Sequence, residues 1–91
     1  MLSLAWSDEA LDDLDQIADY VGEYDLVAAN RLLERIEAYA ERLVDFPFMH
    51  RRGLLPDTRE AIVTPNYKMI YRIAETDVVI LSVIHTRRQY P

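Results

Sequence analysis

Two amphipathic helices ahead of three closely spaced strands, with one short strand before them, predict an α+β fold of order β-α-α-β-β-β. Both helices pack on one face of a mainly antiparallel four-stranded sheet. Two observations carry this expectation. Apolar residues recur at three- and four-residue steps through the first half, and apolar runs divided by short polar breaks fill the second. The chain has 91 residues, 51% hydrophobic and 29% charged, an ordinary globular composition with the length of one domain, 1–91. A domain of this size buries roughly 60 to 65% of its unfolded surface.

The elements follow in order. Leu2-Ser3-Leu4-Ala5-Trp6 alternates apolar and small residues and reads as a short strand. Ser7 or Asp8 offers an N-cap, and Asp8 and Glu9 suit the positive end of a helix dipole. From Ala10, the residues Leu11, Leu14, Ile17, Ala18 and Val21 form an apolar stripe, with Asp12, Asp13, Asp15, Gln16 and Asp19 on the other face. Gly22 breaks the pattern. Asp25 caps a second helix with the stripe Ala29, Leu32, Leu33, Ile36, Tyr39 or Ala40, and Leu43, and Pro47 ends it. Leu11, Leu14, Ile17, Val21, Leu32, Leu33, Ile36 and Leu43 are the expected helical core.

Residues Phe46 to Thr58 hold two prolines and a glycine without a sustained period, and read as a connecting loop. Strands then run Arg59–Thr64, Tyr67–Ile73 and Val78–Ile84, an antiparallel meander with breaks at Pro65-Asn66 and Ala74–Asp77. Val78–Ile84 is apolar on both faces except at Ser82, which fits a central strand.

Composition excludes several classes of function. There is no cysteine, and His50 and His85 lie far apart in sequence, so no metal site and no cofactor are expected. No apolar run reaches the roughly 18 to 20 residues of a membrane span, and the first residues lack the pattern of a signal peptide, so a cytoplasmic protein is expected. The net charge of −6 disfavours general nucleic-acid binding. That sum conceals a division. Residues 1–49 carry twelve acidic and three basic side chains, a net of −9, and residues 50–91 carry seven basic and four acidic ones, a net of +3.

Alternation in Tyr67–Ile73 sets Tyr67, Met69, Tyr71 and Ile73 toward the helices and Lys68, Ile70 and Arg72 on the opposite, uncovered face. Arg51, Arg52, Arg59, Arg87 and Arg88 flank the same strands. The expected target-binding surface is therefore a basic face of Arg51, Arg52, Arg59, Lys68, Arg72, Arg87 and Arg88. The same cations could instead pair with neighbouring acids and only keep the face soluble.

The positions Trp6, Ala10, Asp13-Leu14, Ile17, Tyr20, Ala28-Ala29, Ile36, Leu43 and Pro47, with the runs TREAIV, YKMIYRI and VVILSVIHTRRQYP, resemble the RelE/ParE superfamily of toxins from toxin-antitoxin modules over nearly the whole chain. The resemblance implies a toxin held by a cognate antitoxin in a hetero-oligomer. It also implies one of two targets: DNA gyrase for ParE-like members, or the ribosome and its mRNA for RelE-like endonucleases. A third alternative is a degenerate member that binds antitoxin without toxicity. For the nuclease, Arg59 and Arg72 match arginines that clamp the scissile phosphate, with His85 or Tyr90 as acid or base. The acidic balance and the Ile-His-Thr-Arg-Arg ending favour the ParE side, because a body charged near −9 repels an RNA-lined site. The resemblance assigns the antitoxin to part of the helix pair and the sheet edge. There Asp12, Asp15 and Asp19 face its basic residues, and exposed Tyr20, Tyr24 and Tyr39 anchor the contact.

Overall fold

The computed structural model describes residues 2–91. Strand β1 (Ser3–Trp6) leads into helix α1 (Asp8–Gly22) and helix α2 (Leu26–Asp45). Strands β2 (Arg51–Arg52), β3 (Thr58–Ile62), β4 (Tyr67–Ile73) and β5 (Asp77–His85) complete the chain. The two helices lie against one sheet of order β1-β5-β4-β3-β2, in which only the β1–β5 pairing is parallel. The sheet has five strands rather than the expected four. Arg51 and Arg52, expected in the loop, pair with Glu60 and Arg59 as a short edge strand. Two arginines carry no apolar period, so no sequence signal marks that strand.

Each helix begins as its caps require. The Ser7 hydroxyl accepts the Ala10 N–H at 3.0 Å, and the Asp25 carboxylate accepts the Ala28 N–H at 3.1 Å. The core joins Ala10, Ile17, Ile36, Ala40 and Leu43 of the helices to Ala61, Met69, Tyr71, Val78, Ile80 and Val83 of the sheet. Leu11, expected in this core, is 46% exposed. The packed stripe runs through Ala10, Leu14, Ile17 and Val21, and Leu11 stands at its margin.

Asp13 also departs from its expected solvent face. A bulge in β5 leaves Leu81 without a partner, since Ile70 pairs with Ser82 and Tyr71 with Ile80. Core residues therefore run Val78, Ile80, then Val83. Asp13 reaches this bulge from α1, where its Oδ2 accepts both the Ser82 hydroxyl at 2.6 Å and the Val83 N–H at 2.9 Å. The Ser7 hydroxyl donates to the Leu81 carbonyl at 2.9 Å. Helix α1 thus satisfies the part of β5 that β1 does not reach.

Candidate functional site

Cross-strand partners share a face of the sheet. Met69 and Tyr71 point to the helices, as expected, so Arg59, paired with Tyr71, lies on the helix side, and Arg72 lies on the other. The expected single basic face is therefore divided. Lys68 does sit opposite the helices, but it is 5% exposed, and its Nζ lies 3.5 Å from Glu60 Oε1. Arg51 donates to the same oxygen at 2.9 Å. Glu60 so gathers two of the seven expected cations, and Lys68 is internal. The sequence offered neighbouring acids as partners but no sign that Lys68 is buried, because Ile62 and Ile84 lie beside it only through the pairing of neighbouring strands.

Three of the remaining cations line one depression. Arg52, Arg59 and Arg72 border an open depression of about 630 Å³, walled by Phe48, Leu54 and Leu55. The 53–57 connection that frames it depends on two backbone features. A Cβ on Gly53 would lie 2.5 Å from the Thr58 hydroxyl oxygen, so only glycine fits there. Asp57 takes a left-handed φ of 63°, which aspartate tolerates better than most residues. Among the described residues, neither Arg52 nor Arg72 is in an ion pair.

Arg59 is differently placed. Its Nη1 donates to the His50 carbonyl at 2.7 Å and the Phe48 carbonyl at 3.3 Å, and its guanidinium lies 5.2 Å from the centre of the Phe48 ring. Beside it, the buried Tyr71 hydroxyl donates to the Pro47 carbonyl at 2.6 Å. Burial pushes the Tyr71 phenol up to about 12. The His50 ring packs between Tyr39 and Tyr71, with centroids at 5.7 and 6.2 Å. Burial first, then the Arg42 and Arg59 charges, holds His50 below its ordinary value. Phe48, His50 and Tyr71 were not among the expected site residues: the Phe46–Thr58 stretch has no period from which the first two could be placed, and Tyr71 was expected only to face the helices.

The nuclease candidates are not brought together. His85 pairs with Tyr67 and Arg72 with Val79, so His85 and Arg72 stand at opposite ends of β4, about 17 Å apart along the strand. The Nδ1 of His85 accepts the Arg87 N–H at 3.1 Å, and its ring meets Tyr67 edge-on at 5.9 Å. The Tyr90 hydroxyl donates to Glu9 at 3.1 Å, far from the depression at the start of α1. Burial and that bond push the Tyr90 phenol up. Arg87 and Arg88 are exposed at this second end.

On the helices, Asp12, Asp15 and Asp19 lie exposed along α1. Tyr20 and Tyr24 are 62% and 78% exposed and meet edge-on at 5.8 Å. Tyr39, expected to be exposed, is instead half-buried against His50 and the core. Among the described residues, no group of three or more Asp, Glu, His or Cys side chains is placed to hold a metal ion. No described helix is long and apolar enough to cross a membrane.

The family described as the ParE toxin of the type II toxin-antitoxin system parDE matches residues 4–90. The chain is 34% identical over 90 residues to Toxin RelE2 of Caulobacter vibrioides, which covers 97% of this chain and 99% of that one. Its fold is similar to a chain of the chromosomal ParDE toxin-antitoxin system from P. aeruginosa, with a TM-score of 0.82, 25% identity, and coverage of 93% and 96%. A chain of the RelBE2 toxin-antitoxin complex from Mycobacterium tuberculosis shares the fold at a TM-score of 0.69, with 24% identity and coverage of 92% and 96%.

Proposed function

Because the chain belongs to the ParE toxin family of type II toxin-antitoxin systems, we propose that it poisons DNA gyrase and is neutralised by a cognate antitoxin. The observation that favours a gyrase poison over a message-cleaving enzyme is the separation of His85 and Tyr90, the expected acid or base, from the arginines. Cleavage at a ribose 2′-hydroxyl needs a base within about 3 Å of the proton it removes, and a guanidinium stays protonated. Apart from the Asp57 carboxylate, the depression holding Arg52, Arg59 and Arg72 is lined by no acid-base side chain, and the nearby His50 ring and Tyr71 hydroxyl are engaged with Tyr39 and the Pro47 carbonyl. His85 stands about 17 Å from Arg72 along the strand direction. Guanidinium groups beside Phe48, Leu54 and Leu55 suit the occupation of a target surface that is partly anionic and partly apolar.

The antitoxin contact we assign to α1, where Asp12, Asp15 and Asp19 lie beside the exposed Tyr20 and Tyr24. That surface suits a segment carrying Lys or Arg. The similarity to chains from a ParDE system and a RelBE2 complex supports such a partner.

Purified gyrase, supercoiled plasmid and ATP test the target. With the chain added, linear plasmid should accumulate after detergent and protease treatment, the product of a trapped cleavage complex. Cells expressing the chain without antitoxin should mount a DNA-damage response. Codon-positioned cuts in translated messages, with gyrase unaffected, would overturn the proposal in favour of ribosome-dependent cleavage.

A further inference from the structure

We infer that Arg59 is a positioning residue: with Tyr71 it fastens the Pro47–His50 connection to the sheet and so sets Phe48 as the apolar wall of the arginine depression. This rests on reading that depression as the target site. The connection runs from α2 to β2 with neither helix nor strand of its own, and its one internal backbone bond, from the Met49 N–H to the Phe46 carbonyl, is long at 3.4 Å. Three of its four remaining carbonyls are claimed from below by two side chains that stand opposite each other in the β3–β4 register. Tyr71 takes the carbonyl of Pro47, and Arg59 takes those of Phe48 and His50. The Phe48 ring then lies over the Arg59 guanidinium, and the His50 ring fills the space between Tyr39 and Tyr71.

Arg59 therefore spends its Nη1 and one face of its charge inside the chain. Arg52 and Arg72, exposed and outside any described ion pair, are left as the cations free to meet a target. The division matters because a bound carboxylate or phosphate would engage Arg52 and Arg72 while an apolar group rests on Phe48. That ring, 68% exposed, keeps its place only while the connection is fastened.

Tyr71→Phe and Arg59→Lys in the full chain test the inference. The first removes one hydroxyl that is buried under Pro47 and cannot touch a target; the second keeps the charge but loses the longer, planar guanidinium whose Nη1 reaches both carbonyls. Both should raise the His50 titration, followed by proton NMR, toward 6.5, because a loosened connection rehydrates the ring. Both should also raise the inducer dose for half-maximal growth arrest by about fivefold to tenfold, the effect of one lost hydrogen bond. Normal arrest with Tyr71→Phe, whatever Arg59→Lys does, would overturn the inference, as would an unmoved His50 titration. If the wild-type chain causes no arrest, the target-site reading fails separately, and the His50 titration decides the fastening by itself.

Discussion

At the scale of single residues, the cations that looked alike in the sequence have three different jobs. Lys68 is internal and shares one carboxylate oxygen of Glu60 with Arg51. Replacing it with alanine leaves Glu60 buried with an exposed arginine as its only partner, and should cost about 3 kcal/mol in urea unfolding. Adding Glu60→Gln should recover much of that loss, because the two positions are coupled. Arg52→Ala and Arg72→Ala should change stability by no more than about 0.5 kcal/mol yet relieve growth arrest, since both side chains lie on the surface of the depression. His50 predicts a pH dependence. Its value is lower folded than unfolded, so below about 6.5 the unfolded chain binds more protons and stability falls as the pH drops toward the folded value. His50→Gln should flatten that acidic limb of the unfolding profile.

At the scale of elements, the junction of α1 with β5 depends on one irregularity. Beyond the extra Leu81 of the bulge β5 has no β1 partner, and there Asp13 accepts from both the Ser82 hydroxyl and the Val83 N–H. Asp13→Ala should cost about 2 kcal/mol in thermal or urea unfolding, because two donors lose their partner, whereas Asp12→Ala should stay within about 0.5 kcal/mol. Both acids belong to one polar-looking run, yet only Asp13 shares a helix face with Ala10 and Ile17, three residues after the one and four before the other. That spacing was the available signal. The bulge itself had none, because Val78–Ile84 is apolar at nearly every position and its alternation cannot report a slipped residue. The edge strand Arg51–Arg52 was equally silent, since its pairing comes from β3 rather than from its own pattern.

At the scale of the whole molecule, charge is sorted by layer. The helical half keeps its net of −9 on exposed positions such as Asp12, Asp15 and Asp19, while the exposed cations of residues 50–91 gather at the two ends of the sheet. The complex with antitoxin should therefore weaken as salt rises from about 0.1 M to 1 M, where the Debye length shrinks from about 10 Å to 3 Å. A dissociation constant that does not respond to salt would count against the α1 contact. The sequence alone determined the element order apart from β2, the Asp25 cap, the helix-facing side of β4 and the segregation of charge, because each rests on periods of two or 3.6 residues or on neighbours a few positions apart. Tertiary structure decided which cations are free. Strand register set Arg59 and Arg72 on opposite faces, packing buried Lys68 against Glu60, and the length of β4 held His85 away from the arginines. Those outcomes depend on pairings between distant segments, and no local period encodes such a pairing.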